Sequence, residues 1–273
     1  MQQALAVPTA PAVPYNPLAG FVDVLKSEFL KLSSVRSTFW TLLSAVVFNI
    51  AVGAAVGAFV PSHLSASDKQ TLDAIRLSMG GLHLSQIAIG VLGVLVITSE
   101  YSTGMIRATF SAVPQRRTVL FAKTVVFSVT AITVGIISCF GAYYAFEAFL
   151  SDDSMSSSIG DPGVLRAVIG GGLYLAVLGL LGLGLGLIIR VGAGAIATLF
   201  GLLFVPNILI DLLPSAWQDT IGPYLPMEAG SQIFIASARG QSSLGPWGGF
   251  GVFSLYAVVA LVIGFALINR RDA

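Results

Sequence analysis

The sequence predicts an all-α membrane protein with six transmembrane helices, and three observations carry that prediction. Hydrophobic residues make up 55% of the 273 residues and charged residues only 10%, against about 25% charged in soluble domains. The few charges cut the chain into uncharged lengths, and a helix needs about 20 apolar residues to cross the hydrocarbon core. These lengths lack the alternating pattern, in runs of about ten residues, that a transmembrane barrel requires.

Residues 1–17 carry no charge and contain Pro8, Pro11, Pro14 and Pro17. They lack the basic start and continuous apolar core of a signal peptide. The proline spacing would align on one edge of a polyproline helix, a shape that partner domains recognise, but the segment reads first as a disordered tail. Residues 18–273 read as one membrane domain. At its start, Leu18, Phe21, Val22, Leu25, Phe29 and Leu32 recur at helical spacing, with Asp23, Lys26, Ser27 and Lys31 on other faces. That stretch is too polar to span. It is expected to lie on the inner membrane surface as an amphipathic helix, Phe21, Leu25 and Phe29 in the apolar layer and Lys26 and Lys31 at the headgroups. The alternative is an extension of the first span.

The first span is read as residues 39–60, ending at Pro61. Its Gly53 and Gly57 form a small-xxx-small pair that permits close helix approach, and Asn49 is expected to hydrogen-bond between helices. The second span covers 77–99, between Arg76 and Glu100; its His83, near the outer end, reads as interfacial packing. The third covers 124–146, between Lys123 and Glu147. The outer loop that follows contains three aspartates, but their order does not match an EF-hand. The fourth covers 167–189 and contains Gly182-x-Gly184-x-Gly186. No strand or acidic partner surrounds this triplet, so tight packing explains it better than a nucleotide. The fifth covers 191–210, joined to the fourth by little more than Arg190-Val191-Gly192. Residues 211–246 are apolar yet broken by Pro214, Asp219, Pro223, Pro226, Glu228 and Arg239. They are expected to form short helices re-entering from the outer face, shielded by protein. Pro246 is expected to trim the sixth span to begin near Trp247.

Lys and Arg set the orientation. With the N-terminus inside, Lys26, Lys31, Arg36, Arg107, Arg116, Arg117, Lys123, Arg190, Arg270 and Arg271 are internal, ten of the fourteen. Only Lys69, Arg76, Arg166 and Arg239 are external. Both termini are therefore expected in the cytoplasm of a cell that carries the protein in its cytoplasmic membrane. Net charge is only +1, so no nucleic acid partner is expected. The single cysteine, Cys139, excludes an internal disulfide and a multi-cysteine metal site.

The connection from Glu100 to Lys123 is the chain's most informative stretch. Glu100 closes the second span at a helix C-terminus, which disfavours an anion. Either Gly104 turns the chain so that a short helix around Met105–Ala112 offers its N-terminus, or Arg107, Arg116 or Arg117 pairs with Glu100. Pro114 stops that helix, and Met105, Ile106 and Phe110 give it an apolar face suited to a groove on a partner. A solvated basic loop is the plainer alternative.

The run Glu100-x-x-x-Gly104-x-x-Arg107, followed by Pro114 and Arg116-Arg117, resembles the coupling loop of type-2 ATP-binding-cassette (ABC) exporter permeases, particularly bacterial antibiotic-resistance and bacteriocin-export permeases. The layout over about residues 18–271 is similar too. The resemblance implies a permease subunit with a cytoplasmic coupling helix between spans two and three, which docks on a separate ATPase and through Glu100, Gly104 and Arg107 transmits its movement. It implies two ATPase subunits holding ATP and magnesium, a second permease copy or homologue, and an amphipathic cargo: a drug, antibiotic, peptide or lipid-like molecule. The chain itself is expected to be no enzyme and to bind no cofactor. Its lysines follow Leu25, Leu30, Asp68 and Ala122, so none completes a P-loop, where Gly precedes Lys. His63 and His83 are followed by Leu64 and Leu84, so no His-Glu-x-x-His zinc motif exists. A secondary transporter, which places charge or unwound sites near the midplane, and a membrane regulator held by an ATPase are the other readings.

Overall fold

The computed structural model describes residues 17–65, 72–113, 115–151, 153–236 and 244–270. The proline-rich tail lies outside them except for Pro17, and so does Pro114. Among the described residues there is no strand, and six helices are long and apolar enough to cross a membrane. The protein is a multi-pass, all-helical membrane protein.

In chain order the helices are α1 (Pro17–Ser34), α2 (Arg36–His63), the short α3 (Ala74–Ser78), α4 (Leu82–Ser102), α5 (Met105–Ala112), α6 (Arg116–Phe149), α7 (Val164–Ile189), α8 (Gly192–Ile210), α9 (Ser215–Ile221), α10 (Pro226–Ser231) and α11 (Gly245–Arg270). The six long ones, α2, α4, α6, α7, α8 and α11, run alternately up and down. Helix α5, the α7–α8 turn and the end of α11 therefore gather at the end of the bundle that carries α1, and α9 and α10 lie at the far end.

Several helices depart from the spans expected from charge boundaries: α4 runs from Leu82 to Ser102 in place of 77–99, the chain before it turning after the short α3, and α7 starts at Val164 in place of 167. Helix α6 begins at Arg116, so Lys123 is a helical residue and not part of a loop. Helix α11 begins at Gly245, with Pro246 in the first turn, where its missing N–H loses nothing. Helix α2 runs through Pro61 to His63. Pro61 cannot donate to the carbonyl of Gly57, and the backbone N–H of Ser151 does so instead at 3.2 Å.

Helix α7 forms the centre. Of its most apolar stretch 67% is buried, against 22% in α2 and α8. Its glycines let neighbours approach backbone to backbone: a Cβ on Gly182 would lie 2.7 Å from the Gly90 carbonyl of α4, and one on Gly172 would lie 2.6 Å from the Ile136 nitrogen of α6. The glycine triplet is therefore a packing surface. Gly53 does the same for α2 against Ala142 of α6. Asn49 donates to Ser138 at 2.9 Å, the interhelical bond expected of it.

At the far end, α10 and the turn Gln232–Phe234 sink into the bundle. Gly230 lies against Tyr174 and Phe253. Tyr174 is ten residues into α7, a rise of about 15 Å from its start. Arg166 donates to the carbonyls of Ile233 and Ile235 at 3.0 and 2.9 Å, and Tyr174 donates to Gln86 at 2.6 Å. These bonds satisfy backbone and side-chain groups in a dry setting, where an unpaired one is costly.

Candidate functional site

The site begins with a helix end and a turn. Helix α4 finishes at Ser102, and Gly104 takes a left-handed conformation with φ of 72°. Nothing lies within 4 Å of where its Cβ would be, so the backbone angle, not space, calls for glycine here; another residue would bear about 1–2 kcal/mol of strain. Helix α5 starts at the next residue. The expected turn and short helix are thus both present.

Glu100 does not use that helix start, and it does not pair with an arginine. Its Oε1 accepts from Lys123 of α6 at 2.8 Å and from Lys31 of α1 at 3.4 Å. Glu28 of α1 takes the other side of both lysines, at 2.5 Å from Lys123 and 2.7 Å from Lys31. Lys31 also donates to Thr109 of α5 at 3.2 Å. Four ionisable groups and a threonine thus join α1, α4, α5 and α6 at one point. The side chains of Glu28 and Glu100 are each 3% exposed and that of Lys123 is 5% exposed. Lys123 is the compensating cation that Glu100 needs, brought there because α6 starts about two turns before it.

The electrostatics of the cluster favour the charged form of Lys31. Burial alone would push the Lys31 ammonium down, but its hydrogen bond to Glu28 and the charges of Glu100 and Glu28 outweigh that, and its pKa stands above the ordinary lysine value. Isolated, any of these ions would be expensive to bury; paired and hydrogen-bonded, they are tolerated.

Helix α5 presents its faces differently from expectation. Ile106 and Phe110 are buried, at 2% and 8% exposure, in a cluster with Val119, Leu120 and Ile268. The apolar face therefore packs on the protein's own bundle and is not free for a partner's groove; only Met105 remains largely exposed. The outward face carries Arg107, Ala108 and Ser111. Arg116 stacks over the Phe110 ring at 5.4 Å and donates to the Ile268 carbonyl at 3.3 Å, tying α5 and α6 to the end of α11. Arg117 is exposed.

Of the residues assigned to a surface helix, Lys26 is exposed and within 3.9 Å of Asp23, and Phe29 is 56% exposed. Phe21 packs on Phe121 of α6 at 6.1 Å, and Leu25 is half-buried. Lys31 faces into the bundle. Sequence reasoning misses Glu28, although Phe21, Leu25, Glu28 and Leu32 share one helical face. An acid inside an apolar stripe, with a lysine three residues on, is the signal that finds it.

Beside the cluster, α2, α4 and α6 leave a groove of about 210 Å³. Its walls include Thr41, Leu92, Leu95, Val96 and Phe127, and its polar end is formed by Glu28, Lys31, Glu100 and Lys123. Glu100 Oε2 is buried and has no hydrogen-bond partner among the described residues. At the neighbouring α7–α8 turn, Arg190 adopts φ of 62° and its guanidinium lies 5.0 Å over the Tyr101 ring. Compared with known proteins, the chain matches no family model and no curated sequence.

Proposed function

We propose that the chain is the membrane-spanning permease subunit of an ATP-driven exporter of the type-2 ABC kind. It would move an amphipathic substrate with separate ATPase subunits and a second permease copy or homologue. The observation that carries this reading is the mounting of α5. A short helix between the second and third long helices is seated on the bundle by Ile106 and Phe110, is hydrogen-bonded through Thr109 to the buried ion-pair cluster of α1, α4 and α6, and is linked to α11 through Arg116. A helix joined in this way can act as a lever, passing a push on its exposed polar face into the long helices it is linked to. Two further features support it. Helix α1 turns Val22, Phe29 and Leu30 outward, as an in-plane amphipathic helix does. Pro226, Ala229, Gly230 and the run Gln232–Ile235 are buried in the bundle, as the inward side of a re-entrant element must be. The Lys and Arg distribution argues for α5 on the cytoplasmic side, where ATP is.

The partner would meet Arg107 and the polar side of α5, since Ile106 and Phe110 are already engaged. The test is purification of the full chain from its native membrane, followed by ATPase assay. A cassette-type ATPase is expected to accompany it. Arg107→Ala, an exposed change, is expected to leave the protein folded and to lower substrate-stimulated hydrolysis several-fold. Recovery of no ATPase, or unchanged stimulation in that variant, would overturn the reading.

A further inference from the structure

We propose that the groove between α2, α4 and α6 binds an amphiphile with a primary-amine headgroup, the amine donating to Glu100 Oε2 and a hydrocarbon chain lying along Leu92, Leu95 and Phe127. Hydrogen bonding at the polar end of the groove points to an amine. Lys31 already directs bonds to Glu28, Glu100 and Thr109, at 2.7, 3.4 and 3.2 Å, and an ammonium has three donors. Lys123 directs two of its three to Glu28 and Glu100. Glu28 accepts at both oxygens. Glu100 accepts twice at Oε1 and not at all at Oε2 among the described residues. Among these four groups Glu100 Oε2 is therefore the one oxygen without a donor, and a single N–H of Lys123 is the one donor left over. The two lysines are matched in charge by the two carboxylates, so an anionic headgroup finds only one N–H of a lysine already paired twice and meets an unpaired carboxylate oxygen beside it. A protonated amine meets an acceptor of opposite charge in a setting of low dielectric, where such a bond is strongest.

The apolar half of the argument is shape. The groove's free space is about 210 Å³, several times the ~30 Å³ that one water occupies in the liquid, and its walls below the charges are aliphatic and aromatic. The groove opens where Val35 and Leu95 are 47% and 42% exposed, so a chain too long for it can continue into the surrounding lipid. The proposal is independent of whether the protein works with an ATPase.

The experiment uses the full chain in a neutral detergent, with bound lipid counted by native mass spectrometry during titration. Phosphatidylethanolamine is compared with phosphatidylglycerol, which is anionic, and with phosphatidylcholine, whose quaternary ammonium carries charge but no N–H. Dodecylamine tests the amine without a phosphate, and ethanolamine tests the headgroup without a chain. Phosphatidylethanolamine, dodecylamine or both are expected to bind about tenfold or more tightly than the other three. Binding of both identifies the amine and chain as sufficient; binding of one alone tells a bilayer lipid from a single-chain amine. Leu95→Trp, which fills the groove mouth from a partly exposed position, is expected to weaken binding about tenfold with the melting temperature retained. Glu100→Gln is expected to do the same if it folds; Leu95→Trp decides the matter if it does not. Equal binding of the three phospholipids with dodecylamine binding no more tightly than they do, binding of ethanolamine as tight as that of the amphiphiles, or full binding by folded Leu95→Trp would overturn the proposal.

Discussion

The two ends of the bundle are fastened by different physics. At the α1 end, three helices meet through long side chains carrying opposite charges, and α5 joins them through Thr109. At the far end and through the middle, helices meet backbone to backbone at glycines, with neutral hydrogen bonds such as Tyr174 to Gln86 filling the gaps. Glycine contacts have no slack, because interiors are packed as densely as organic crystals and deform little. Lysine and glutamate pairs hold by attraction over several rotatable bonds and can exchange partners without moving the backbone far. The molecule thus places its adjustable joint around α5 and its rigid joint where α10 and α11 lock into α7.

The largest expected effect breaks the adjustable joint outright. Lys123→Ala leaves Glu28 and Glu100 buried with one cation between them, and the cost expected is about 3–5 kcal/mol. The exposed Lys26→Ala, in a helix of the same cluster, is expected to change stability by no more than about 0.5 kcal/mol. Thermal melts of both variants in the same detergent check this; equal melting temperatures would mean that the buried ion pairs are not what holds α1 in place.

A smaller effect is expected at the glycine contacts through the middle of the bundle. Gly182→Val puts a branched side chain against the Gly90 carbonyl, 2.7 Å from where its Cβ would fall. Overpacking of this kind costs about 1–3 kcal/mol, and here it must separate α7 from α4. Cross-linking of cysteines placed on those two helices reads the separation directly. A variant as stable as the parent, with unchanged cross-linking, would show that this contact has slack after all.

The mildest test sharpens the contrast by pH. Lys31 has a folded pKa above its ordinary 10.5, so its contribution is complete below 10.5 and is lost as pH rises through the higher folded value. Melting temperature is expected to fall in that alkaline window in the parent and to fall less in Lys31→Met. The glycine joint carries no proton and contributes nothing to this slope.

Much of the fold is legible in the amino-acid sequence alone, and the reason is the membrane. Because the hydrocarbon layer demands uncharged helices of fixed length, Arg76, Glu100, Lys123, Glu147, Arg166 and Arg190 mark the helix ends to within a few turns. Gly104 and the short helix after it are legible from local backbone rules. The partners of Glu100 are not. Lys123 reads as a loop cation wherever a charge is assumed to end a span; in fact α6 carries it inside, where Glu28 and Glu100 neutralise it. Lys31 reads as a headgroup contact for the same reason. The burial of Ile106 and Phe110 is equally hidden: an apolar face announces that it will be covered, but only the tertiary arrangement says by what.

The break at Pro61 has a consequence for the order of biogenesis. The hydrogen bond missing from the last turn of α2 is supplied by Ser151, which enters the chain only after α6 is complete. Until then the Gly57 carbonyl has no backbone donor in surroundings that supply little water. The far tip of the first crossing should therefore stay frayed while the second and third are being threaded into the bilayer, and zip closed only once the third has arrived.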